Sequence, residues 1–186
     1  DSLSFVAKNA DYNLKDYIIN AYGVDSINIA DAIIYPDSGI LTVERNANIR
    51  TLANANITVD ALTRYHVFSN SIVNINGANN YSGSGDYVYI DALNNKQDIY
   101  FSDIKVNDDT ITIATGLVDD VKAFKIGERY DFKGEVQLLG DRKNLTFNGF
   151  FKIKHKCLAL SQEWIKFSSE INSSKISFDI NDNLYN

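Results

Sequence analysis

The residues of this chain best suited to chemistry are few and sit in strand-like surroundings. His66 lies in RYHVF with Arg64 two residues before it, a spacing that puts both side chains on one face of a strand, where together they could hold an anion. His155 precedes Cys157 by the same spacing in KIKHKC, the arrangement an imidazole-activated thiolate would need. Lys152, Lys154 and Lys156 interleave that run, however, and read as lysines guarding an edge strand. Tyr87 and Tyr89 alternate in YVYID, opposite Val88 and Ile90, so one of the two rows faces away from the core. An outward tyrosine row could stack on sugar rings or pack on a neighbouring domain. Asp86, Asp91 and Asp103 are the acids that a polysaccharide lyase or glycoside hydrolase would have to bring together with Arg64 and His66. Asp179, Asn181 and Asn183 match the opening of a calcium loop, but Leu184 stands where its sharp turn needs glycine, so no metal site and no cofactor are expected. The binding candidates are therefore Tyr87, Tyr89, Arg64 and His66, and the expectation for catalytic residues is none.

Such groups act only where a fold brings them together, and the bulk properties limit which folds are open. A chain of 186 residues with 45% hydrophobic and 23% charged content can bury one sizeable core. Its net charge of -6 and lack of a lysine or arginine run oppose binding to phosphate backbones, so nucleic acid is not an expected partner. No apolar run approaches the roughly 20 residues of a membrane helix, so no membrane-spanning segment is expected. One cysteine makes no internal disulfide. The absence of methionine suggests a mature or excised segment of a larger protein, whose other domains would then be its partners.

Period-two alternation recurs in SINIA, IVNIN, YVYID, TITIA and EVQLL, bounded by Gly, Asn and Asp, and predicts a chain that is mostly strand. Short units with alanine and asparagine at their start repeat through the first half: NADYNL, ADAII, NANIRTL and NANITVD. Stacked solenoid coils favour such units, although long hairpins in one sheet would produce the same pattern. In the second half FKGEVQL (132–138) and FNGFFKI (147–153) share Phe-x-Gly-x-apolar-x-apolar. Gly85 of YSGSGDYVYID aligns with their glycines as a residue at the start of a strand. NLKDYIINAYG (13–23) fits a helix capped by Asn13 and stopped by Gly23 as well as it fits a strand. SQEWIKFSSEI (161–171) places Trp164, Phe167 and Ile171 at helical spacing behind Ser161 and predicts a short capping helix.

The Phe-x-Gly units, joined to runs such as LTVERNANIRTLANANITVD, resemble repetitive β-solenoid or open β-jellyroll modules of bacterial, Bacteroidota-like envelope and surface proteins. The nearest named likeness is the periplasmic lipopolysaccharide-transport family. The resemblance implies an envelope or extracellular location and a non-catalytic role, such as an apolar groove for acyl chains. The expected fold is all-β and solenoid-like (parallel β-helix or open β-jellyroll), with a C-terminal strand meander and one short capping helix. It divides as coil-like repeats over 1–115, a meander over 116–160, and a helix with a terminal strand over 161–186. The expected function is a structural or binding module presenting a β face to a neighbouring domain, a glycan or a lipid. A polysaccharide-acting enzyme on a parallel β-helix is the alternative.

Overall fold

The computed structural model describes residues 3–119, 121, 123–155, 163–173 and 176. Their chain order begins with β1 (Asn9–Asn13), β2 (Ile18–Tyr22), β3 (Ile27–Ile29), β4 (Ala32–Tyr35), β5 (Ile40–Val43), a 3-10 turn (Arg45–Ala47) and β6 (Leu52–Val59). It continues with β7 (His66–Gly77), β8 (Asn80–Ile90), β9 (Lys96–Val106), β10 (Thr112–Val118), β11 (Lys125–Gly127), β12 (Tyr130–Leu139), β13 (Leu145–Ile153) and β14 (Ile165–Ile171). The protein is all-β. Among the described residues no helix is long and apolar enough to cross a membrane.

Among the described residues every strand pairing is antiparallel. One large sheet runs in the order β14-β13-β12-β10-β9-β8-β7-β6-β4-β3, with β11 folded back on β12, while β1, β2 and β5 form a small second sheet. The structure thus corrects the parallel β-helix: NADYNL, ADAII and NANITVD supply the antiparallel strands β1, β4 and β6, and NANIRTL runs from the 3-10 turn to the start of β6, so none is a solenoid coil. Ala78 and Asn79 alone join β7 to β8, far short of the dozen or so residues that a parallel crossover requires.

The large sheet curls into a half-barrel. Its registers shift near Ala55, between Ser69 and Ile72, between Gly83 and Gly85, and at Gly116, and bulges of this kind bend and twist the strands that carry them. Gly83 and Gly85 therefore lie inside β8 rather than at its start. A Cβ on Gly83 would meet the Ile72 carbonyl, and one on Gly85 the Ser71 hydroxyl, so the glycines let β7 approach at its bulge. The concave face is filled by Ile34, Ile57, Phe68, Phe101, Phe132 and Phe147 among others, all fully buried.

The Phe-x-Gly repeat is one hairpin. β12 and β13 pair so that Phe132 opposes Phe151, Gly134 opposes Gly149, and Val136 opposes Phe147. The bare glycine pair leaves room over which aromatic rings close: Phe167 of β14 sits opposite Gly149 and meets Phe132 and Phe151 edge to face, at 5.8 and 5.2 Å between centroids. The expected capping helix is thus a strand over Ile165–Ile171. Ile165, Phe167 and Ile171 satisfy period two as readily as Trp164, Phe167 and Ile171 satisfy a helix, and hydrogen bonding to β13 decides between them. Because β14 pairs with it, β13 is an interior strand, so its one lysine, Lys152, guards no edge, and Lys156 lies outside the described residues. In the N-terminal stretch the strand reading holds from Ile18. Asn13 Oδ1 accepts from the Lys15 and Asp16 N–H groups as a helix cap would, but Tyr17 takes a positive φ of 57° and the chain turns back as a hairpin.

One mouth of the curl is closed by a polar knot. Thr112 at the start of β10 donates its N–H and its hydroxyl to the two carboxylate oxygens of Asp31, in the β3–β4 turn, at 2.9 and 2.5 Å. That uses the only hydroxyl proton of Thr112, so the buried Tyr81 donates to the Thr112 oxygen at 2.7 Å. The Gly140 N–H donates to the Thr112 carbonyl and the Ala61 N–H to the Asp31 carbonyl, which ties in the β12–β13 and β6–β7 turns.

Candidate functional site

The four binding candidates are placed near one another but not as an exposed platform. Tyr89 is only 4% exposed and donates its hydroxyl to the Ile126 carbonyl at 2.8 Å. Tyr87 is half-buried, with its ring against Phe68 and Phe101. The inward row of β8 is therefore the tyrosines, and Val88 and Ile90 face outward, 41% and 44% exposed. Alternation defines two rows; here the phenol hydroxyls find partners across the curl, and burial follows.

Arg64 and His66 do not share a face. Arg64 lies in the turn before β7 with φ 53° and is exposed, held by its N–H to the Asp60 carbonyl. Asp60 in turn accepts from the Leu62 and Thr63 N–H groups, and the Leu62 bond leads in keeping its carboxyl below the usual range. His66 is wholly buried. Its Nε2 lies 2.6 Å from the Arg142 carbonyl, which can only accept, so that nitrogen carries the proton and Nδ1 accepts from the Tyr87 hydroxyl at 3.2 Å. The imidazole is a neutral clasp between β7, β8 and the β12–β13 turn, with both nitrogens engaged. Burial holds its pKa below the ordinary histidine value, against the Arg142 carbonyl, which raises it, and pushes the Tyr87 phenol up to about 12.

A histidine kept neutral by burial makes stability depend on pH in a definite direction. Below about pH 6.5 the unfolded chain binds a proton that the folded chain takes up only at lower pH. Stability is therefore full above that point and falls as the pH drops through it toward the lowered folded pKa. The slope approaches about 1.4 kcal/mol per pH unit. Urea denaturation of the protein and of His66→Gln across this window should show a steeper decline for the protein, with His155 common to both.

The acids proposed for a polysaccharide-acting site are each engaged locally. Asp86 accepts from Asn70, and Asp103 from Lys105. Asp91 caps its own turn, accepting from the Leu93 and Asn95 N–H groups and the Asn95 side chain. Cys157 and Asp179, Asn181 and Asn183 lie outside the described residues, so the thiol pairing and the calcium-like run are not placed.

The structure does build a cleft of about 450 Å³ where the β12–β13 turn and the end of β14 come round against β7 and β8. Tyr65, Val67, Val88 and Ile90 form one side, Leu145 and Ile171 contribute apolar surface from the other, and Lys143, Asn144 and Ser173 supply polar groups. Tyr87 and Tyr89 also line it. Among the described residues Lys143 is its only charged lining residue and has no ion pair. Arg142 and Asn144 beside it both engage Glu170, at 3.6 and 2.9 Å. Sequence reasoning missed Tyr65, Val67, Lys143 and Leu145 because the segments meet only through the curl. The outward Val-x-Ile of YVYID is the one local sign, and alternation alone does not say which row of that strand faces out. No family model matches the chain, and no curated protein and no solved structure shows a significant match to it.

Proposed function

We propose that the protein is a non-catalytic binding module that holds the apolar part of an amphiphilic anion in the cleft beside β7 and β8, within the larger envelope or secreted protein that the strand resemblance implies. The observation that supports this most is the lining: aliphatic side chains on both sides and one ammonium, Lys143, free to meet a carboxylate or phosphate. A glycan would want open aromatic faces, whereas the Tyr87 and Tyr89 rings turn inward. Each methylene removed from water contributes about 0.8 kcal/mol, so a medium-length acyl chain in a half-open cleft should reach a dissociation constant on the order of 10 µM.

Titration calorimetry with dodecanoate tests this. Val88→Glu, which puts a carboxylate on the apolar side, should weaken binding at least tenfold. Lys143→Ala should weaken dodecanoate and leave dodecanol unchanged. Absence of binding to the unmodified protein, or equal binding by Val88→Glu, would overturn the reading.

A further inference from the structure

The opposite end of the β13–β14 hairpin carries a different surface. Strand pairing places Lys133, Phe150 and Lys166 in one row across β12, β13 and β14. One step along, Asp131 opposes Lys152, and Trp164 follows beside it just before β14. The Lys133 and Lys152 ammonium groups both stand over the Trp164 ring, at 4.4 and 4.8 Å from its centroid, and Phe150 is 41% exposed. From Leu145 to Lys152 the strand runs roughly 23 Å at the usual rise, so this face is separate from the cleft.

The charges around it favour an anion. Asp131 is nearly buried and held by Lys154 at 2.9 Å, Glu135 accepts from Gln137, and Glu163 lies exposed at the margin. Against them stand Lys133, Lys152, Lys154 and Lys166, on a chain whose net charge is -6. Since β13 is an interior strand, Lys152 is not there to block edge pairing. Its indole, the ring a sugar would favour, is already covered by the Lys133 and Lys152 side chains. Tryptophan, phenylalanine and lysine side by side on a sheet face are the composition that settles at a lipid headgroup layer, with aromatic rings at the interface and ammonium groups on phosphates.

We infer that this face of β12, β13 and β14 docks on an anionic lipid surface. The inference is independent of the cleft. In cosedimentation with phosphatidylcholine vesicles, with and without phosphatidylglycerol, the protein should bind only the anionic vesicles and should be released by salt. Each lysine near such a surface is worth about fivefold in partitioning, so Lys152→Gln/Lys166→Gln should bind about 25-fold more weakly. Trp164→Ala should weaken binding further, and Val88→Glu, at the cleft, should leave it unchanged. Equal binding to neutral vesicles, no effect of the lysine pair, or binding to soluble heparin without binding to vesicles would each overturn the inference.

Discussion

Replacing Gly134 or Gly149 by alanine is expected to destabilise the protein by about 3 kcal/mol or more. Gly134 has φ 143°, a conformation that side chains rarely adopt, and a Cβ there would lie 2.5 Å from the Asn148 carbonyl oxygen and 2.7 Å from the Gly149 Cα. A Cβ on Gly149 would meet the Lys133 carbonyl and lie 2.7 Å from the Gly134 Cα. Neither obstacle is a flexible side-chain end that could move aside. Relief would have to come from separating β12 and β13, which would open the ring contacts of Phe132, Phe151 and Phe167. For a chain of this size the loss should lower the melting temperature by roughly 6–12 °C. Urea denaturation and a thermal scan read it, and Gly77→Ala, where an added Cβ meets nothing within 4 Å, is the comparison for backbone effects alone.

Asp31→Ala should cost about as much, near 3 kcal/mol, for a different reason. The substitution removes two charge-assisted hydrogen bonds and strands the Thr112 N–H and hydroxyl, in a residue with no exposed surface. Tyr81, whose phenol burial raises well beyond its ordinary range, then loses the fixed orientation of its acceptor. Since Asp31 and Gly140 lie in separate turns and Thr112 opens β10, the damage should appear as a loosened mouth of the curl. Near-UV circular dichroism should lose tyrosine signal while the far-UV strand signal persists. A cycle of Asp31→Ala with Thr112→Val should show a coupling of about 1–3 kcal/mol, and additive effects would mean that the knot does not act as a unit.

Much of the secondary structure was legible because alternation is a local property. SINIA, IVNIN, YVYID, TITIA and EVQLL all contribute to strands, and the paired Phe-x-Gly units are adjacent strands. The errors arose where one local pattern admits two structures. In SQEWIKFSSEI both three-residue and two-residue spacings collect apolar residues, and only β13, already in place, offers the hydrogen bonds that select the strand. In KIKHKC the alternation gives no sign that Lys152 lies in an interior strand rather than an edge strand.

The sequence by itself determined an all-β chain with a period-two core, glycines where strands crowd, and no segment long and apolar enough for a membrane helix. Tertiary structure alone decided the antiparallel order, the inward turn of Tyr87 and Tyr89, and the meeting of Tyr65, Val67 and Val88 with Lys143 and Leu145. The reason is physical: a strand with apolar residues on both faces has no inside until the sheet curls. The curl depends on bulges, on the Asp31 knot and on the His66 clasp, each joining groups far apart in the chain.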